Sequence, residues 1–496
     1  MRESQHKRAS SGLIKRAFKR KSGTNEIIWL CIVLSAPFCA KHTPALEAAS
    51  EFQVSGPSSQ QHFDEGKDYV REYNAGLFYL GRGNTAAATV AFEAATKLKP
   101  DFKEAHYALG SLYLRLGKTS LAKDEFRRVE SIDPDFGDAY NSLGALSAME
   151  HQYLVATDQL LRALELDPEN VEALGNMSGV LNDLGEKEAA LELLERAVRI
   201  APQYATLYLS KGRELDEMAR YNEAMKSYKE ALRLDPHLSG LHSSMGLTLL
   251  ALDQADEATR EFHTALELNS NDSIALRGLG QIADAEGNFT AAAGYLERAV
   301  KAGADDYYSH IRLGKLHQQQ GRLKEADAEF RAALRSNTNS SSTAALFGLA
   351  KLLQAEGKIQ EAQVYFERLQ ILHQKELAVA DATVLNARGV NLWSQGDIEG
   401  AVAVFRKVLT IDPGFAIACH NLGVALAGGS MALDAMDAFR KAIGLRPDLA
   451  VSHYGLAMLL KDENNPLAEE EFHKAKLLER FVPQLDPNVI PFHNKE

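Results

Sequence analysis

The sequence predicts an all-α solenoid, a stack of helical hairpins, and three observations carry that expectation. A glycine recurs every 34 residues, at Gly76, Gly110, Gly144, Gly212, Gly246, Gly280 and Gly314, with Ser178 in the one gap. A small residue and then a bulky one follow at fixed offsets, as in Ala88 and Phe92, Ala122 and Phe126, Ala258 and Phe262. A proline often closes the unit: Pro100, Pro134, Pro168, Pro202 and Pro236.

Within each unit, apolar residues fall at helical spacing in two blocks, for example Ala108-Leu109-Gly110…Tyr113 and Ala122…Phe126…Val129. Glycine sits between the blocks at Gly83, Gly117, Gly185, Gly287, Gly321, Gly357 and Gly396. It can adopt the left-handed backbone that ends a helix. Asp-Pro pairs (Asp133-Pro134, Asp167-Pro168, Asp235-Pro236, Asp412-Pro413) then separate one unit from the next, because a helix stops before proline. Each unit is therefore a hairpin with apolar surface on both sides, and only stacking buries it. A 45% hydrophobic fraction is ample for such a core, and no stretch suggests β-strands.

This Leu-Gly…Tyr…Ala…Phe…Pro signature closely resembles the tetratricopeptide repeat family, which implies a right-handed superhelical solenoid of about twelve hairpins. Eight units run in register over residues 69–340. A ninth begins near Thr343, after the Ser/Asn-rich run 336–342. The tenth (Gly389, Ala401, Phe405, Pro413) comes five residues late, behind segment 374–381. The eleventh (Gly423, Ala435, Phe439, Pro447) is regular. A degenerate twelfth, Gly455-Leu456-Ala457…Phe472, serves as a C-terminal cap, so the second run covers residues 343–483. Residues 41–68 read as a linker and 484–496 as a tail. The irregular junctions leave two alternatives, a hinge or a longer helix.

The N-terminus is a different object. Residues 1–25 carry eight Lys/Arg against Glu3 alone, and an apolar run follows from Ile27 to Ala40. A basic segment before a short apolar one is the layout of a secretory signal, here residues 1–40. The run is shorter than the ~20 residues of a spanning helix. Pro37 after Ala36 and Phe38 before Ala40 are poor cleavage neighbours, which leaves an uncleaved signal anchor open. Membrane association would then run through residues 27–40. The expectation is an exported array in a cell envelope, periplasmic in a bacterium, with a membrane-anchored array facing the cytoplasm as the alternative.

Charge separates the two parts. The chain sums to −12, and the first 40 residues contribute +6 (eight bases less Glu3 and Glu26), so the remainder carries −18. An acidic body disfavours general nucleic-acid binding, which neutralises phosphates with Lys and Arg. Cys419 is the one thiol outside the targeting segment, where it reads as a small core residue. No catalytic constellation is recognisable: there is no phosphate-binding glycine loop, no Gly-x-Ser-x-Gly elbow and no metal-spaced histidine pair. The expectation is neither an enzyme nor a cofactor or metal binder.

The family resemblance implies that the first helix of each unit lines a concave peptide-binding face. The carboxylate clamp of chaperone-binding members is absent here, since no unit pairs Lys with Asn at the required positions. The nearest imitation is a basic stretch in units seven to nine: Arg277, Gln281, Arg312, Lys315 and Lys351. Guanidinium groups grip carboxylates, so this stretch is the candidate site for an acidic peptide or C-terminus, although basic residues on helices also serve plain solvation. Tyr73 and Tyr107 stand at equivalent positions of the first two units, as an aromatic shelf or as packing. Asn74, Asn176 and Asn421 share a third groove position, too sparsely for a ladder, and read as local hydrogen bonding. The functional expectation is a non-catalytic scaffold or adaptor that binds protein segments. Its alternative is a non-catalytic component of polysaccharide or protein export.

Overall fold

The structure, a computed structural model, describes residues 68–303, 307–336, 343–482 and 489–491; the basic and apolar N-terminal segment and the linker lie outside them. Among the described residues there are twenty-three α-helices and no strand. In chain order they are α1 (Asp68–Gly81), α2 (Thr85–Leu98), α3 (Lys103–Arg115), α4 (Thr119–Ile132), α5 (Gly137–Met149), α6 (Tyr153–Leu166), α7 (Val171–Asp183) and α8 (Lys187–Ile200). Next come α9 (Ala205–Glu217), α10 (Tyr221–Leu234), α11 (Leu241–Ala251), α12 (Ala255–Leu268), α13 (Ser273–Ala285), α14 (Phe289–Ala302), α15 (Tyr307–Gln319) and α16 (Leu323–Ser336). The last are α17 (Thr343–Ala355), α18 (Ile359–Ser394), α19 (Ile398–Ile411), α20 (Ala416–Gly428), α21 (Ala432–Leu445), α22 (Ala450–Asp462) and α23 (Leu467–Phe481).

The recurring glycine exists because of the bulky residue that follows it. A Cβ on Gly246 would sit 2.5 Å from the Phe262 ring, and one on Gly278, in the next hairpin, 2.2 Å from the same ring. Phe262 is fully buried between the two. The aromatic thus locks its own hairpin and the following one together, which is why the period survives in the sequence. Where Ser178 replaces the glycine, its hydroxyl donates to the Ala190 carbonyl at 2.9 Å.

The turns and boundaries have equally local causes. Gly83, Gly117, Gly185, Gly287, Gly321, Gly357 and Gly396 all have positive φ, as expected. His151, Ala219, Asp253 and Ser430 hold the same left-handed conformation without being glycine, so hairpin geometry overrides residue preference there. At the Asp-Pro boundaries the aspartate is an acceptor: Asp133, Asp167, Asp235 and Asp412 each take the N–H two residues on, at 2.9–3.1 Å. Asn84, Asn170, Asp272, Asn288 and Asp397 cap the helices that follow them.

The chain divides into two compact units. One comprises, among the described residues, 203–438 and 489–491. Its hairpins stack in order from α9–α10 to α18–α19, followed by α20. The irregular junction at residues 374–381 lies inside α18, a continuous helix of 36 residues. It pairs with both α17 and α19, Ala362 packing with Leu349 and Leu353 and Gly389 facing the Phe405 ring, so the longer helix is the alternative realised, and one helix serves two successive hairpins.

The other unit comprises, among the described residues, 68–202 and 439–482. Here α1–α8 form four stacked hairpins, and α22–α23 form a fifth that packs through α23 on α6. Lys474 reaches Asp158 at 3.3 Å, His473 reaches Glu165 at 2.9 Å, and the Arg196 guanidinium lies 5.5 Å from the Phe481 ring centre. In the C-terminal hairpin Gly455 faces the Phe439 ring, as Gly278 faces Phe262.

Candidate protein-binding face and its first-helix residues

First helices touch their counterparts in the next hairpin, as α5 does α7, α11 does α13, α15 does α17 and α18 does α20. This makes a row of helix faces on which side chains from successive hairpins meet. The basic stretch lies on α13, α15 and α17. Arg312 donates through Nη1 to Asp284 Oδ2 at 2.7 Å, across two hairpins. Lys315, one turn on, has its pKa held below the ordinary lysine value by loss of water around the ammonium and then by Arg312, against the opposing pull of Asp284. Arg277 stacks over the Tyr308 ring at 5.5 Å, and Gln281 is half-buried on the same helix. Lys351 is exposed, 3.4 Å from Gln354 Oε1 and over the Phe347 ring. The structure therefore brings Arg312, Lys315 and Asp284 together, and places Arg277 and Lys351 on the flanking helices.

Tyr73 and Tyr107 are partly buried. Tyr73 packs 5.8 Å from Phe92 and 5.2 Å from Phe102, ring centre to ring centre; Tyr107 does the same with Phe126 and Phe136 at 5.5 and 5.3 Å. Cys419 is buried.

Two features emerge that the sequence reading did not assemble. The first is a pair of asparagine bridges. Asn176 Nδ2 donates to Asn141 Oδ1 at 2.8 Å, and Asn421 Nδ2 donates to Asn386 Oδ1 at 3.2 Å. Both join residues 35 apart, one position beyond the repeat period, and all four side chains are buried. On α20 the bridge continues to the C-terminal segment: the Ile490 N–H donates to Asn421 Oδ1 at 2.9 Å, and His420 Nε2–H donates to the Ile490 carbonyl at 2.8 Å. Burial holds the His420 pKa down at about 4, so the ring is neutral with its proton on Nε2. Ile490 is 1% exposed.

The second feature is a histidine staple. His106, His242, His310 and His453 meet Glu125, Glu261, Glu329 and Glu471 through Nδ1 at 2.6–2.7 Å. In three of them Nε2 also faces the carbonyl of Pro100, Pro236 or Pro447 at 3.1–3.2 Å. The Glu261 hydrogen bond raises the His242 pKa. The signal was a histidine with a glutamate 18 or 19 further on, in three of the four cases six residues after the boundary proline. Among the described residues no group of three His, Cys, Asp or Glu is placed to hold a metal, and no helix is long and apolar enough to cross a membrane.

Family descriptions of the tetratricopeptide repeat match residues 150–205, 244–307 and, in overlapping segments, 311–450; further ones match 79–146 and 205–238. The chain belongs to the tetratricopeptide repeat family, whose members are typically non-catalytic scaffolds that bind other proteins or peptides. A comparison with curated proteins finds no match. Among solved structures it is similar to Pseudomonas aeruginosa pilF, at 21% identity over 43% of this chain and 97% of that one, with a TM-score of 0.37. It is similar to MamA at 26% identity, over 32% and 94%, with a TM-score of 0.28. A human IFIT1 dimer with PPP-AAAA shares 14% identity over 78% and 95%, with a TM-score of 0.45.

Proposed function

We propose that this chain is a protein-interaction scaffold whose α13, α15 and α17 face binds acidic segments of a partner. The observation that carries the reading is the charge on these three helices. They hold four Lys/Arg (Arg277, Arg312, Lys315, Lys351) and one acid, Asp284, in a chain of net charge −12. Arg312 and Lys315 lie one turn apart with Asp284 as the acid beside them, and Arg312 adds to the desolvation that lowers the Lys315 pKa. A partner carboxylate would add a counter-charge to this pair of cations and take Arg312 or Arg277 in forked geometry. Preformed helices bind such a segment at little ordering cost on their own side. The basic and apolar layout of residues 1–40 supports a place of work in a cell envelope, with a cytoplasm-facing array on a membrane anchor as the second reading. A non-catalytic role in an export assembly suits either placement.

The test is cross-linked capture from native cells with wild type and Arg277→Glu/Arg312→Glu/Lys315→Glu, circular dichroism confirming that both fold. Partners lost with the variant support the reading; partners retained at full yield contradict it.

A further inference from the structure

Two ionisable side chains sit in the joint between the hairpins α9–α10 and α11–α12. Asp216, on α9, accepts the Tyr228 hydroxyl from α10 and the Thr248 hydroxyl from α11, both through Oδ2 at 2.6 Å. Its other oxygen, Oδ1, is buried and has no hydrogen-bond partner. One carboxyl thus ties three helices while half of it meets no donor. In the same joint the His242 ring, 9% exposed on α11, faces Glu261 Oε2 on α12 at 2.7 Å. Its other nitrogen faces the carbonyl of Pro236, in the boundary after α10, at 3.2 Å.

Donor counting fixes the protonation state that suits each site. A carboxylate with an unpaired buried oxygen is costly, whereas a carboxylic acid sheds the charge and still accepts from both hydroxyls. A neutral imidazole donates through one nitrogen only, so a ring between a carboxylate and a carbonyl pairs both as imidazolium. Three further charges adjoin the two groups. Arg213, on α9, donates from Nε to Ser244 on α11 at 3.1 Å and favours the charged form of Asp216, which Glu217 opposes. Asp272, which caps α13, accepts the Ser243 hydroxyl. Burial prevails at Asp216 and puts its pKa at about 7. At His242 the Glu261 hydrogen bond prevails over burial and raises the pKa from 6.5.

We propose that this joint is a proton-operated brace: with protons on Asp216 and His242 the two hairpins are held together, and loss of both protons toward alkaline pH loosens them. The two groups act with one sign. The folded joint keeps protons that the unfolded chain gives up, Asp216 between about pH 4 and 7 and His242 above 6.5. Each contribution is therefore full at the acid end and is lost as pH rises through the folded value. Deprotonation strands a buried charge at Asp216 and removes one of the two bonds at His242, so the α9–α10 and α11–α12 hairpins lose contacts to each other at the same time.

Hydrogen–deuterium exchange of the full chain, read by mass spectrometry at about pH 5.5, 7 and 8.5, tests this when expressed as protection factors, which remove the intrinsic pH dependence of exchange. The expected result is a loss of protection by about tenfold or more in α10 and α11 between the lowest and the highest pH. Residues 171–200, which contain no histidine, are the internal reference and should lose much less. The loss should vanish in Asp216→Asn/Glu261→Gln, which removes the titrating carboxyl and the acceptor that holds the imidazolium. The wild-type profile is decisive by itself and needs no variant to fold. Protection in α10 and α11 that is flat with pH, that rises with pH, or that falls no more than in residues 171–200 overturns the proposal, and so does a loss that persists in the double variant. The brace makes no use of the basic face, so none of these outcomes bears on the acidic-segment reading of α13, α15 and α17.

Discussion

Arg446 Nη1 lies 2.6 Å from Glu186 Oε1, a contact between residues 260 apart in sequence. The same guanidinium holds Asp448 with its other edge, Nε to Oδ1 at 2.7 Å and Nη2 to Oδ2 at 2.6 Å. The Arg446 side chain is only 12% exposed, and that of Asp448 3%. One planar cation thus joins the boundary before the last hairpin to the turn between α7 and α8. A forked, largely buried pair of this kind depends on geometry as much as charge.

Removing the guanidinium takes this cation from two carboxylates. Arg446→Ala is expected to lower unfolding free energy by about 2–4 kcal/mol, and Arg446→Lys to recover less than half of it. A double-mutant cycle with Glu186→Gln, read by urea unfolding, should give a coupling energy above about 1 kcal/mol. Strict additivity would show that the Glu186 contact contributes nothing.

Asp216 makes stability depend on pH in an unusual direction. Burial pushes its pKa from the usual 3.8 up to about 7, against hydrogen bonds from Thr248 and Tyr228 that favour the charged form. The folded state therefore keeps a proton that the unfolded chain releases between about pH 4 and 7. The group's contribution is greatest at the acid end and falls as pH rises through that window. Asp216→Asn should abolish the slope and exceed wild type in stability at pH 8 by about 2–4 kcal/mol, with little difference near pH 4. Urea midpoints at the two pH values decide it, and parallel midpoints would place the carboxyl in a hydrated setting.

The left-handed turns give a third expectation. Ala219 holds φ 59° where other hairpins have glycine, as Gly117 does at φ 70°. Ala219→Gly relieves a steric cost of about 1–2 kcal/mol and incurs some chain entropy, for a net gain of about 0.5–1 kcal/mol. Gly117→Ala should lose about 1 kcal/mol. Thermal melts of the two variants should move in opposite directions.

The repeat was legible because each periodic residue answers to a partner within its own or the next hairpin. The glycine beneath Phe262, the left-handed turn glycines and the Asp-Pro boundaries are all local requirements, and they could be read one by one. The single helix α18 was left as one of two alternatives, since a missing boundary proline permits either a bend or a continuation. The long-range contacts were not legible. Nothing in the period pairs Arg446 with Glu186 or Ile490 with Asn421, because these bonds join segments far apart in sequence that meet only within a folded unit. Asn176 and Asn421 were noticed at one repeat position, yet their partners Asn141 and Asn386 stand one position earlier, outside a search for a ladder. The basic residues of α13, α15 and α17 were picked out from register alone, and the structure sets Arg312 against Asp284.

The central claim is that the basic first-helix face selects acidic segments, and peptide titration tests it most directly. A labelled Asp/Glu-rich peptide and its Asn/Gln counterpart would be titrated against wild type and Arg312→Glu/Lys315→Glu at about 50 and 300 mM salt. The acidic peptide is expected to bind wild type more tightly, with a preference that shrinks with salt and is lost by about tenfold or more in the variant. Equal affinity for the two peptides, or a preference that persists in the variant, would contradict it.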